Sequence, residues 1–123
     1  MKLYDDFYEI ERLDATETGL LAAVKINKDH PIFKGHFPNH PVTPGVCTMQ
    51  IIKELTEKRL GLKLFLKHAR NIKFMAIINP QLNNSVQVDL QIAHINEHEF
   101  DVKGTVLMED NPALKFGGIF SKK

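Results

Sequence analysis

The sequence predicts an α+β fold in which one long helix packs against a curved antiparallel sheet. Two strand-like segments come first, one helix lies in the middle, and four strand-like segments follow it. One helix beside consecutive strands is an α+β layout. Because an apolar helix must be covered, we expect the sheet to wrap around it. The length suits one domain, which we expect to span residues 1–123.

The first two strand-like segments predict a hairpin. Residues 7–16 are rich in aromatic and branched side chains and run into a Thr-Glu-Thr-Gly motif at 16–19, which is typical of a strand and a turn. Residues 20–26 are again apolar. Two such segments joined by a short turn pair as antiparallel neighbours.

Residues 29–45 differ in character from the rest of the chain. This stretch, DHPIFKGHFPNHPVTPG, has prolines at 31, 38, 41 and 44. Proline removes a backbone donor and fixes φ, so we expect neither a regular helix nor a central strand here. Irregular loops of this length inside compact domains are often functional.

A helix is expected directly after Pro44 and Gly45. Its first two turns are apolar nearly all round, so we expect them to be buried; the apolar residues are Val46, Cys47, Met49, Ile51, Ile52 and Leu55. Gly61 is a suitable C-terminal stop. Four strands then follow, at about 66–78, 86–95, 100–108 and 114–120, with turns at 96–98 and 109–112.

Composition excludes several classes of function. The formal net charge is +1, so we expect no nucleic-acid partner. No apolar run reaches the ~20 residues of a membrane span, and the first residues lack the apolar core of a secretory signal. The lone Cys47 fits a reducing compartment, and we expect a cytoplasmic protein. His30 and His40 show no metal-binding spacing, so we expect no metal and no other cofactor.

The residues at 30–46 carry a specific resemblance. His30-Pro-Ile-Phe-Lys-Gly-His36-Phe37-Pro38, followed by Pro41-Val-Thr-Pro44-Gly45-Val46, resembles the signature of bacterial 3-hydroxyacyl-acyl-carrier-protein dehydratases. The resemblance implies a hot-dog fold and a homodimer or higher oligomer with sites at the interface. It implies a substrate carried as a thioester on acyl carrier protein or coenzyme A, in fatty acid or related lipid or polyene biosynthesis.

The same resemblance implies roles for individual residues. His36 corresponds to the catalytic base and acid. The amide of Gly45 corresponds to the group that polarises the thioester carbonyl, and we expect the neighbouring amide of Val46 to bind the same oxygen. Phe37, Pro38 and Pro44 belong to the loop expected to contact the substrate. The family's second acid, a carboxylate in the helix, corresponds to Gln50. That departure puts enzymatic activity in question.

The residue chemistry fits this assignment in part. The pKa of histidine lies near neutrality, so His36 can take and return a proton. A helix N-terminus supplies free N–H groups for an enolate-like oxygen. An amide cannot titrate, so Gln50 can orient a hydroxyl or a water but cannot protonate a leaving group. Loss of one general acid costs about 10²–10⁴ in rate. Glu54, one turn deeper, is poorly placed to replace it.

Two classes of function remain open on the sequence. The first is enzymatic: a dehydratase, with an acyl thioesterase as an alternative on the same fold. The second is a catalytically degenerate subunit that pairs with an active dehydratase as a heterodimer, or that only binds acyl thioesters. Among the other residues, we expect Cys47 to pack rather than react. Lys63, Lys67, Arg70 and Lys73 could meet an acidic carrier protein, although scattered lysines usually form only a solvated surface.

Overall fold

The computed structural model describes residues 2–35 and 42–123. In this part of the chain, the six strands and the long helix follow one another in the predicted order, and a one-turn helix that was not predicted precedes the long helix. The elements are β1 (Tyr8–Ala15), β2 (Gly19–Ile26), α1 (Ile32–Gly35), α2 (Gly45–Leu60), β3 (Leu64–Phe74), β4 (Ser85–His94), β5 (Glu99–Met108) and β6 (Asn111–Lys122).

The strands form one antiparallel sheet in the order β1-β2-β4-β5-β6-β3. The predicted hairpin is present, with Tyr8 opposite Ile26 and Ala15 opposite Leu20. β1 and β3 are the edge strands, and β3 returns after the helix to pair with β6. Apart from Leu64, every residue of β3 is exposed, although the strand carries several large apolar side chains.

The core lies between α2 and one face of the sheet. Alternate side chains of β2 and β4, such as Val24 and Leu90, are buried in the same core cluster as the helix residues Ile52 and Leu55. Gly104 on β5 marks the closest approach of the two layers. A Cβ there would lie 2.8 Å from Cδ2 of Leu90 and 3.5 Å from Cδ1 of Ile52.

Several boundaries differ from the prediction: β3 ends at Phe74 rather than near residue 78, and β6 spans Asn111–Lys122 rather than 114–120. Residues 32–35 form a one-turn helix inside the stretch expected to be irregular. Pro31 directly precedes this turn, where its missing N–H costs nothing. The turn expected at 109–112 is shorter, because Glu109 and Asp110 both adopt positive φ and close a tight hairpin. Pro112 is then accommodated in β6 beside a register shift.

Val46 is an exception to the expected burial of the first helical turns, so that prediction was wrong at this position. Its side chain is 62% exposed, although its neighbours Cys47, Ile51 and Ile52 are buried. The helix therefore has a distinct outer face from its first turn. Across the residues described, no helix combines the length and the apolar character needed to span a membrane.

Candidate functional site

The N-terminus of α2 presents free backbone donors. The helix begins at Gly45, one residue before the predicted start, and Pro44 at its N-cap supplies no side-chain cap. Cys47 N donates to Pro44 O over 2.9 Å, and within residues 2–35 and 42–123 the amides of Gly45 and Val46 have no acceptor. These amides and the positive end of the helix dipole suit a developing negative charge. His36, Phe37 and Pro38, together with His40, lie outside the described residues.

A small apolar cavity adjoins this helix end. Its volume is about 240 Å³, and it is lined by Thr43, Gly45, Phe74, Ile78 and Leu114 among others. The ring of Phe74 lies so close to Gly45 that a Cβ there would be 2.6 Å from Cε1 and Cζ. Only glycine permits this approach. Thr43 Oγ1 is buried beside the cavity and has no hydrogen-bond partner in the described part of the chain.

Gln50 lies one to two turns further along α2 and contacts a buried carboxylate. Its Nε2 donates to Oε2 of Glu54 over 2.8 Å, an i,i+4 contact along the helix. Glu54 is only 7% exposed. Because a buried carboxylate is costly unless hydrogen bonds satisfy it, its other partners decide whether the arrangement is stable.

Three further donors satisfy Glu54, and all of them come from the start of the chain. Leu3 N donates to Oε2 over 2.8 Å, Tyr4 N donates to Oε1 over 2.9 Å, and Tyr8 Oη donates to Oε1 over 2.9 Å. The carboxylate thus joins the N-terminal segment to the middle of the helix. Sequence reasoning missed this cluster; its one visible signal was an acidic side chain at i+4 from Gln50 among apolar helix residues.

The Tyr8 phenol is strongly affected by these surroundings. Burial raises its pKa above the usual value, and the Glu54 carboxylate adds to the shift. A raised pKa means that the folded protein retains this proton after the unfolded chain has lost it. The contribution to stability is therefore complete below about pH 10 and is lost as the pH rises above it.

We expect Tyr8→Phe to lower the free energy of unfolding by about 1–2 kcal/mol at neutral pH, because Glu54 loses a buried donor. Above about pH 10, wild-type stability should fall by up to about 1.4 kcal/mol per pH unit more steeply than that of the variant. Urea unfolding of both proteins over the alkaline range measures the difference. Parallel pH curves would contradict the assigned environment of the phenol.

A larger cleft opens beside Gln50 and Glu54. Its volume is about 520 Å³. Four lysines line it together with Tyr4 and Glu57; they are Lys2, Lys58, Lys63 and Lys123. Lys58 Nζ lies 3.8 Å from the centre of the Tyr4 ring. Of the other basic residues considered from the sequence, Lys67 pairs with Glu99 and Arg70 with Asp101.

Gly45 and Gln50 do not meet within one chain. Five residues along an α-helix correspond to a rotation of about 140°, and the two residues line different cavities. A site in which Gly45 and Gln50 contact the same substrate would therefore take Gly45 from one subunit and Gln50 from another.

The remaining candidates have structural contacts. His30 Nδ1 accepts from Ile32 N over 3.1 Å, so Nε2 carries the proton and donates to Asp6 Oδ2. Cys47 is buried, and burial raises the pKa of its thiol, which opposes thiolate chemistry. Among the described residues, no three His, Cys, Asp or Glu side chains group as metal ligands.

Known proteins with similar sequences and structures identify the fold and the family of this chain. A 3-hydroxyacyl-(acyl-carrier-protein) dehydratase FabZ from Aromatoleum aromaticum is 25% identical over 121 residues, covering 89% of this chain and 82% of that protein. The dehydratase heterocomplex ApeI:P from Xenorhabdus doucetiae superposes with a TM-score of 0.72 at 15% identity, covering 92% of this chain and 96% of the other.

A hypothetical thioesterase from Streptococcus pneumoniae, solved with coenzyme A, superposes with a TM-score of 0.64 at 13% identity, covering 98% and 91% of the two chains. These structural neighbours confirm the expected hot-dog fold. The model of the ApeI-like family, described as ApeI dehydratase, matches residues 12–110. Since that match spans most of the 123 residues, the chain belongs to the ApeI-like dehydratase family.

Proposed function

We propose that this protein dehydrates 3-hydroxyacyl thioesters held on a carrier. The observation that carries the proposal is the start of α2, where the amides of Gly45 and Val46 have no acceptor among the described residues and Gly45 lines an apolar cavity. Such amides suit the oxygen of a thioester enolate, and the cavity suits part of an acyl chain. Membership of the ApeI-like family supports the same reaction class.

One histidine can complete the proton balance of this reaction. His36 takes a proton from C2 of the substrate while the amides of Gly45 and Val46 hold the charge that forms on the thioester oxygen. The bond from C3 to the hydroxyl oxygen then breaks, and His36 returns its proton to the leaving group, which departs as water. Gln50 holds the hydroxyl by a hydrogen bond but supplies no proton. Phe37, Pro38 and Pro44 border the substrate.

The site is proposed to lie between two subunits. Gly45 and Gln50 are on different faces of one helix, so a second subunit is needed to bring such a pair together. The edge strand β3 offers the pairing surface, because an exposed strand edge invites another strand. Its exposed apolar side chains include Phe65, Leu66, Ile72 and Phe74. We therefore propose a homodimer as the smallest active unit.

The thioester carrier is proposed to approach the cleft beside Gln50. The lysines that line this cleft, Lys2, Lys58, Lys63 and Lys123, match the negative charge of a phosphorylated carrier arm. Acyl carrier protein and coenzyme A share that charge. A cytoplasmic location, expected from the sequence, stays a prediction.

A second candidate function follows from Gln50. An amide at this position cannot supply the proton of the family's second acid, and one structural neighbour is a dehydratase heterocomplex. The chain would then be the degenerate subunit of a mixed dimer, with the acid supplied by the other subunit.

Turnover of defined substrates tests these functions against each other. Purified protein is incubated with 3-hydroxyacyl and 2-enoyl thioesters of coenzyme A and of acyl carrier protein. We expect the ultraviolet absorbance of the conjugated enoyl thioester to appear or disappear without release of free thiol. Release of thiol would identify a thioesterase instead. Absence of both signals would leave the degenerate-subunit function, and activity would then appear only after addition of a dehydratase partner.

A further inference from the structure

The cavity at the start of α2 has a buried hydroxyl in its wall that the fold leaves unpaired. Thr43 lines this cavity and is only 6% exposed. Its Oγ1 has no hydrogen-bond partner within residues 2–35 and 42–123. A hydroxyl in such a position lowers stability, because it has lost its hydrogen bonds to water and gained none in return. Native proteins retain few such groups, and each calls for an explanation.

Neither the backbone nor the packing at position 43 accounts for this hydroxyl. Thr43 precedes Pro44, and both that position and a β-branched side chain favour extended backbone. Valine has nearly the same shape as threonine and satisfies both preferences without burying a polar group. Among the described residues, the side chains that line the cavity are apolar apart from Thr43 and Thr48, so a methyl group would suit this wall better than an oxygen. A ligand that pairs with the hydroxyl explains why it is there.

The backbone of Thr43 is fixed beside the start of the helix. Thr43 N donates to Ile78 O over 2.9 Å, which ties the residue to the segment between β3 and β4, where Ile78 is itself buried. One residue separates Thr43 from Gly45, and both line the cavity. Rotation about χ1 exchanges the hydroxyl and the methyl group of a threonine, and the hydroxyl hydrogen turns to meet an acceptor. A ligand oxygen that accepts from the Gly45 amide therefore has a further donor in the adjoining wall.

We propose that the Thr43 hydroxyl is a further catalytic group, which donates a hydrogen bond to the thioester oxygen beside the amides of Gly45 and Val46. This inference rests on the proposed dehydratase function, because that reaction places negative charge on the thioester oxygen when the C2 proton leaves. A donor fixed in a cavity that excludes water stabilises this charge more than it stabilises the neutral thioester. The hydroxyl keeps its own proton throughout, so the proton balance of the reaction is unchanged.

Thr43→Val is expected to stabilise the protein and to slow the reaction at the same time. Removal of an unpaired buried hydroxyl should raise the Tm by about 2–5 °C. Loss of a hydrogen bond to a charged oxygen should lower kcat/KM for the 3-hydroxyacyl thioester about 10–100-fold, mainly through kcat. A threonine with a merely structural role would give a lower Tm and an unchanged kcat/KM. A Thr43→Val protein with kcat/KM within about twofold of wild type would overturn the proposal.

Three further variants separate the hydroxyl from its surroundings. Thr43→Ser keeps the hydroxyl and removes only a methyl group, so its kcat/KM should stay within about fivefold of wild type; a loss equal to that of Thr43→Val would overturn the proposal. Thr43→Ala removes the same hydroxyl should Thr43→Val fail to fold. Thr16→Val is the matched control, because Thr16 Oγ1 is also buried without a partner in the described chain but lies in the turn between β1 and β2, away from the cavity lining. It should raise the Tm and keep wild-type kcat/KM.

Infrared spectroscopy of a bound thioester reports the hydrogen bond without any turnover. Butanoyl-coenzyme A is the probe, since it has the thioester carbonyl but no hydroxyl to eliminate and no double bond to hydrate. A ¹³C label at the carbonyl carbon identifies its stretching band, and a carbonyl that accepts a further hydrogen bond absorbs at lower frequency. We expect the bound band to lie lower in wild type and in Thr16→Val than in Thr43→Val. Equal band positions in all three proteins would overturn the proposal.

The two measurements distinguish failure of this inference from failure of the proposed function. If wild type forms no enoyl thioester but its carbonyl band moves to higher frequency in Thr43→Val, the dehydratase function fails and the contact with Thr43 stands. If wild type is active while neither the band nor kcat/KM responds to Thr43→Val, the contact with Thr43 fails and the dehydratase function stands.

Discussion

Mixing two impaired variants is expected to restore part of the wild-type activity. His36→Ala removes the proposed base and should lower kcat/KM about 10²–10⁴-fold. Gln50→Ala removes the proposed contact to the hydroxyl and should cause a smaller loss, about tenfold or more. In a two-fold dimer with shared sites, random exchange of subunits leaves about a quarter of all sites intact. The mixture should therefore reach about a quarter of wild-type activity, well above the mean of the two separate proteins.

Denaturation and joint refolding of the two variants ensures that subunits exchange. His98→Ala is a suitable control, since His98 lies in the exposed turn between β4 and β5, far from the proposed site residues in sequence, and should keep full activity. If the refolded mixture shows only the average activity of its components, His36 and Gln50 act within one subunit. That outcome would contradict the shared site even if the protein proves to be a dehydratase.

Placing a charge on β3 is expected to dissociate the dimer. Ile72 lies on this edge strand and is partly exposed in the single chain. If β3 pairs with its copy, Ile72→Glu places an unpaired carboxylate in the interface between the subunits. Such burial costs several kcal/mol, so the dimer dissociation constant should rise at least about 100-fold. Enoyl formation should fall in parallel, because each site needs both subunits.

Sedimentation at several protein concentrations measures this effect. Leu82→Glu is the matched control: Leu82 is 85% exposed and lies in the loop between β3 and β4, outside the sheet. It should leave both association and activity unchanged. A monomeric wild type, or an Ile72→Glu protein that associates as well as wild type, would contradict the role of β3.

Much of the fold could be predicted because its signals are local. Alternation of apolar and polar residues marks β4 and β5, and a proline-glycine pair marks the start of α2. Gly61 adopts positive φ at the C-cap, as a glycine stop should. The start of α2 was predicted to within one residue for the same reason, so the amides of Gly45 and Val46 could be placed at the helix N-terminus from sequence.

The rest depended on contacts between residues far apart in the chain. The exposure of Val46 could not be read from a helix segment that is apolar nearly all round, because only the position of the sheet decides which face is outside. The cluster around Glu54 joins residues separated by about fifty positions, and no local pattern records such a distance. His36 shows the opposite case: its motif is clear in the sequence, yet the residue lies outside the part that the structure describes.

The contact between Gln50 and Glu54 also constrains how this sequence can change over generations. A carboxylate introduced at position 50 would lie within hydrogen-bonding distance of the one at 54, and two such groups share a proton rather than ionise independently. Removing the Glu54 carboxylate first would leave the amides of Leu3 and Tyr4 without their acceptor. Neither substitution is neutral alone, so an acid at position 50 is reached only by paired changes. A sequence that carries both Gln50 and Glu54 therefore passes through a less stable intermediate if either residue is replaced alone.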